Sequence, residues 1–183
     1  MLRPPRFADS RRLSHNFSVQ IEARSTEISL RPVAEGDADF LYGLYAETRR
    51  DEVAMFGWDA ASADAFLRMQ FDMRTRAYAV QYPRVDDNVI VHGGRPAGRM
   101  IVDRGETGLV LVDIAVAEAF RQRGIASLLI GRLQDEAAAA GVPVTLHVDR
   151  TNKNSFALYR KLGFEITGED QIQFLMTWDG NRQ

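Results

Sequence analysis

The stretch that decides the fold reads Val112-Asp113-Ile114-Ala115-Val116-Ala117-Glu118-Ala119-Phe120-Arg121-Gln122-Arg123-Gly124-Ile125-Ala126. It closes a nearly continuous apolar run, Leu109–Val116, broken only by Asp113, which is the pattern of a strand covered on both faces. After a short turn, Ile125, Leu128, Leu129, Leu133, Ala137 and Ala140 recur at helical spacing until Gly141 and Pro143 stop them. A helix that begins there presents its first N–H groups and the positive end of its dipole, an anion-binding arrangement. Gly124 puts no Cβ in the way, Ala126 is small, and Arg121 and Arg123 add side-chain charge. A diphosphate lying across residues 121–126 is one reading of this turn; a plain strand–helix connection with a glycine is the other. Neither G-x-x-x-x-G-K-[ST] nor G-x-G-x-x-G is present, so the P-loop and the dinucleotide fingerprint are excluded.

Downstream, Val144, Leu146 and Val148 alternate with Thr145, His147 and Asp149 as a strand, and Phe156, Tyr159 and Leu162 then share a helical face ending at Gly163. Two strands near Phe164–Thr167 and Ile172–Trp178 close the pattern. Upstream, Ile28, Leu30 and Pro32 form a short strand pattern, and Gly36-Asp37 opens a helix carrying Phe40, Leu41, Leu44 and Tyr45. Asp51–Gly57 reads as a connector. Ser62 is placed to cap a second helix whose apolar positions are Phe66, Met69, Met73, Ala77 and Val80, with Pro83 as its stop. Asn88–Val91 and Ala97–Asp103 flank Gly93-Gly94-Arg95-Pro96 as a hairpin. This order predicts an α/β mixed sheet covered by helices.

Composition narrows the function classes. The 183 residues are 45% hydrophobic and 26% charged, as in a globular domain rather than a disordered or fibrous chain. With no cysteine, disulfides, thiolate zinc sites, iron–sulfur clusters and a cysteine nucleophile are excluded, and the three histidines are not spaced for a metal site. All but two of the 23 basic residues are arginines, yet the net charge is −2, which offers no bulk attraction to nucleic acid or an anionic membrane. No apolar run approaches the ~18–20 residues of a spanning helix. Residues 1–26 are Arg-rich without an apolar signal core of ~7–15 residues, so they read as a flexible arm and the expected location is cytoplasmic.

Arg121-Gln122-Arg123-Gly124-Ile125-Ala126 resembles the [Q/R]-x-x-G-x-[G/A] acetyl-CoA motif of the GNAT superfamily of N-acetyltransferases, and it follows its apolar strand at the family's spacing. Asn152-Lys153-Asn154-Ser155-Phe156-Ala157-Leu158-Tyr159-Arg160-Lys161-Leu162-Gly163-Phe164 is similar to the family's N-x-x-A-x-x-x-Y-x-x-x-G-F segment, with Ser155 in place of the usual alanine. The resemblance implies a catalytic domain over residues 27–180. Its fold is a mostly antiparallel sheet of 6–7 strands flanked by about four helices, with two central parallel strands splayed apart. It also implies acetyl transfer from acetyl-CoA, as co-substrate and without a metal, to a primary amine of a small molecule or peptide. A CoA-binding regulatory module without turnover is the alternative, and a homodimer through an edge strand at Ile172–Trp178 is an available arrangement.

By that resemblance, the backbone of Arg121, Gln122, Arg123, Gly124, Ile125 and Ala126 holds the diphosphate, and Ile114, Ala115 and Val116 border the pantetheine arm. Asn152 and Ser155 also belong to the CoA-binding set, Asn152 contacting that arm, capping the helix, or both. Tyr159 faces the sulfur as general acid, with a core aromatic as its plain alternative. For the general base, Asp113 is the first candidate and His147 the second; an ion pair of Asp113 with Arg99, or an ordered water chain, are the readings that compete. Trp58 and arginines 49, 50, 74 and 76 stand at the acceptor end.

Overall fold

The computed structural model describes residues 28–82 and 85–180. The expected arm at 1–26 and the Pro83 stop lie outside them. In chain order the elements are β1 (Ile28–Pro32), α1 (Ala38–Ala54), α2 (Ala60–Gln81), β2 (Val85–His92), β3 (Arg95–Gly105), β4 (Gly108–Val116), α3 (Ile125–Ala140), β5 (Val144–Asp149), α4 (Lys153–Lys161), β6 (Glu165–Glu169) and β7 (Gln173–Trp178). Short 3-10 turns at Glu35–Asp37 and Glu118–Phe120 precede α1 and α3.

The seven strands form one sheet in the order β1-β2-β3-β4-β5-β7-β6, antiparallel except for the central pair β4 and β5. A row of side chains in register crosses it: Val102, Leu111, Leu146 and Met176 are neighbours on successive strands, and all are buried. The stripe Ile125, Leu129, Leu133 and Ala137 of α3 covers this face, together with Tyr159 of α4. Gln134 ties the two helices by donating from Nε2 to the Leu162 carbonyl at 2.8 Å. On the other side α1 packs on α2 and β3, around Tyr45, Val53 and Leu67.

One irregularity positions the site. In the β3–β4 ladder Ile101 faces Asp113 while Val102 faces Leu111, so Val112 is an extra residue, a β-bulge. Side chains alternate along a strand, and one inserted residue reverses the parity beyond it. Hence Leu109 and Leu111 share the α3 face with Ile114 and Val116, and Asp113 turns toward α2. A bulge also bends its strand. Pairing of β4 with β5 covers only Leu109, Val110 and Leu111, opposite Val144, Thr145 and Leu146, and beyond that the two strands part.

Four expectations are corrected. The helix pattern of α1 continues through Asp51–Ala54, so the connector is shorter than read. The cap of α2 is Asp59, whose carboxylate accepts from the N–H groups of Ala61 and Ser62 at 3.0 Å each; Ser62 lies inside the helix. The Met69, Met73 and Val80 stripe of α2 is exposed, at 50%, 62% and 84%, because the inward face carries Ala63, Leu67, Phe71, Arg74 and Tyr78 instead. Lastly, the strand at Ile172–Trp178 is not an edge: β7 lies between β5 and β6, and the edges are β1 and β6.

Candidate active site

The turn between β4 and α3 is built to present backbone donors. Gln122 and Gly124 both take left-handed conformations, φ 59° and 79°, and alternation of this kind aims successive N–H groups into one concavity. The N–H of Leu128 is the first in the helix to bond back, to the Gly124 carbonyl at 2.9 Å. The amides from Gln122 to Ser127 therefore have no backbone acceptor among the described residues. Residues 121, 122 and 124–127 line a groove of about 220 Å³ with Val116, Phe120 and Leu158, and a Cβ placed on Gly124 meets nothing within 4 Å.

The side chains of the two arginines of the turn are bonded to the turn itself. The Nε of Arg121 donates to the Val116 carbonyl at 2.9 Å, and Nη2 of Arg123 donates to the Ala119 carbonyl at 2.9 Å while its guanidinium lies over the Phe120 ring. Both side chains brace the turn. Glu47 of α1, which sequence reasoning missed, completes the brace by accepting from the Glu118 N–H at 3.0 Å.

Along β4, the N–H of Ala117 bonds the Ala97 carbonyl on β3 at 2.9 Å, so residues of the other parity turn their backbone groups away from β3. Ile114 and Val116 thus direct theirs into the gap where β5 has departed. Asn152 caps α4, its Oδ1 accepting from the Ser155 N–H at 3.1 Å, which decides between its two expected roles as far as that oxygen is concerned.

Tyr159 is buried on α4, with its ring against Phe164 at 5.9 Å and no hydrogen bond to its hydroxyl among the described residues. Burial, reinforced by the negative charge of Asp113, pushes this hydroxyl up to about 12. It is held in its protonated, donating form. Asp113 pairs with Arg74, Nη2 to Oδ1 at 2.8 Å, and not with Arg99, whose Nε binds Asp87 at 2.8 Å on the neighbouring strand. Arg74 is itself fixed: its Nε donates to the Tyr78 hydroxyl at 2.9 Å, and its guanidinium lies over the Tyr45 and Tyr78 rings. The signal for Arg74 was present in the i, i+4 pair Arg74 and Tyr78, but the methionine stripe concealed which face of α2 turns inward. His147 is not drawn into this group; it is exposed on β5 and its charge acts on Asp170. Trp58 stacks on Phe56 and meets Phe66 edge-on at the α1–α2 connection.

Among the described residues no cluster of His, Asp and Glu is grouped to hold a metal, and no helix is long and apolar enough to cross a membrane.

Residues 41–164 match the model of the Acetyltransferase (GNAT) family, and the chain belongs to that family. No curated protein sequence matches it. Solved structures with this fold include the PaiA N-acetyltransferase of Thermoplasma acidophilum in complex with coenzyme A, at 15% identity and TM-score 0.63, covering 83% of this chain and 98% of that one. PH1933 of Pyrococcus horikoshii shares 16% identity at TM-score 0.62, over 85% and 99%. Arabidopsis thaliana Naa50, in complex with the bisubstrate analogue CoA-Ac-MVNAL, shares 16% identity at TM-score 0.55, over 84% and 99%.

Proposed function

We propose that this chain is an acetyl-CoA-dependent N-acetyltransferase acting on a primary amine by direct attack within a ternary complex. The observation that carries the proposal is the parting of β4 and β5 beyond Leu111 and Leu146, which leaves the backbone of Ile114 and the N–H of Val116 without a strand partner beside the amide-lined turn. A pantetheine arm, with its two amides, adds to β4 there as a short extra strand. The diphosphate then meets the Gln122–Ser127 amides, where a dipole and several donors favour an anion.

In the chemical step the neutral amine forms a bond to the thioester carbon, and a β4 amide of Ile114 or Val116 stabilises the oxyanion. The C–S bond breaks as the attacking nitrogen gives up its second proton to solvent, and the departing thiolate takes the proton of Tyr159, which solvent replaces. The acceptor ammonium binds Asp113, one of whose oxygens Arg74 already holds, and loses its proton through that carboxylate to water. Without cysteine in the chain, an acetyl-cysteine intermediate is excluded.

The test is release of free CoA thiol from acetyl-CoA across a panel of primary amines, with the acetylated amine identified by mass spectrometry. Amine-dependent release supports the proposal. Tight CoA binding without release across the panel overturns it in favour of a binding module. Gly124→Glu, which places a carboxylate on the diphosphate path, is expected to abolish CoA binding in calorimetry while the circular dichroism spectrum stays that of a folded protein.

A further inference from the structure

The acceptor end of the cleft contains one ion pair with unused valences, and their arrangement reads out an acceptor class. This inference rests on the N-acetyltransferase reading. Asp113 reaches this face only because the Val112 bulge turns it there, beside the point where β4 leaves β5. Its contact with Arg74 is Oδ1 to Nη2 at 2.8 Å. Nη1 of Arg74 and Oδ2 of Asp113 hold no hydrogen bond among the described residues. The side chains are 32% and 21% exposed, so a ligand can reach both.

Arg74 is also held from the side of α1 and α2. The Tyr78 hydroxyl holds its Nε, and the rings of Tyr45 and Tyr78 flank its guanidinium. A fixed guanidinium beside a carboxylate presents a donor and an anionic acceptor next to each other. The complementary ligand carries an ammonium with a hydrogen-bond acceptor two atoms away. The neighbouring cations are already committed, Arg49 to Glu52 and Arg99 to Asp87, and the Arg74–Asp113 pair is neutral as a whole. Such a site favours an uncharged carbonyl over a free carboxylate. We infer that the acceptor is an α-amino acyl compound with a neutral carbonyl, an amino amide or a peptide N-terminus, whose ammonium binds Asp113 and whose carbonyl oxygen accepts from Arg74.

The experiment compares kcat/KM on the wild-type protein for four acceptors of matched side chain: an amino acid amide, the free amino acid, the amino alcohol, and the amine lacking the carbonyl. Hydrogen bonds to charged groups support an expected preference of about tenfold to a hundredfold for the amide over the decarbonylated amine, with the free acid in between. Arg74→Met is expected to collapse that preference toward unity, mostly through KM for the amide, and Arg74→Lys to restore part of it; thermal melting confirms that each variant is folded. Equal kcat/KM for amide and decarbonylated amine in the wild-type protein overturns the inference and leaves the acetyltransferase reading standing. A matched amino alcohol that performs as well as the amide overturns the acyl class. No turnover of any amine, with CoA still bound, is the separate outcome that removes the underlying reading.

Discussion

At the scale of single residues, Tyr159 is the side chain whose role the geometry constrains most. The residue is buried, its hydroxyl has no hydrogen-bond partner among the described residues, and that hydroxyl is pushed up to about 12 by burial and the Asp113 charge. Tyr159→Phe removes the acid and leaves the ring packing against Phe164. Since a thiol of pKa near 8.5 leaves tolerably unaided, kcat is expected to fall about a hundredfold or less, with little change in CoA affinity by calorimetry. The raised value also sets a pH profile. Between pH 6 and 10 Tyr159 stays protonated, so kcat/KM should rise with amine deprotonation and show no descending limb from this group. The sign for stability is the same: the protonated tyrosine favours the fold below pH 10, and that contribution is lost as pH climbs toward 12. At this scale the motif residues were legible in the sequence. The partner of Asp113 was not, because Arg74 and Asp113 are far apart in the chain and only packing brings α2 over β4.

Among elements, the β3–β4 pair carries the site, and Gly98 allows it. A Cβ on Gly98 would lie 2.2 Å from the Ala115 carbonyl oxygen, a backbone atom that cannot yield without breaking the ladder. Gly98→Ala should therefore destabilise the protein by at least ~1–3 kcal/mol, seen as a lower denaturant midpoint with an unchanged slope. The entry to α1 makes a second prediction. Asp37 accepts from the Ala34 N–H at 2.8 Å and from Arg31 through both oxygens, which together hold it down to about 2. A depressed carboxylate adds stability above its unfolded value, and that stability is lost as pH falls from about 4 to 2. Acid unfolding followed by circular dichroism should lose this step in Asp37→Asn, which should also melt lower at neutral pH. Element type was readable from periodicity except at Asp51–Ala54, where α1 continues. Facing was not: methionines 69 and 73 are apolar, yet they are exposed while Arg74 turns inward and meets Asp113.

For the whole molecule, the sheet is a continuous ladder that opens at one place, between β4 and β5. Backbone groups of Ile114 and Val116 face that opening, so their amides should exchange hydrogen faster without ligand than those of Leu109 and Leu111. Adding CoA should slow them together with the Gln122–Ser127 amides; protection confined to the turn would show that the pantetheine arm does not enter the gap. The order of the elements and the glycine turn before α3 were determined by the sequence itself, because helical and strand periods, a left-handed glycine and a helix start are local properties that a few neighbouring residues dictate. The extra residue at Val112, the face Asp113 takes, its ion pair with Arg74, the gap beside Ile114 and the interior place of β7 were decided only in the tertiary structure. Each depends on which strand becomes the neighbour and in what register, and pairing across dozens of residues leaves no periodic trace in either partner alone.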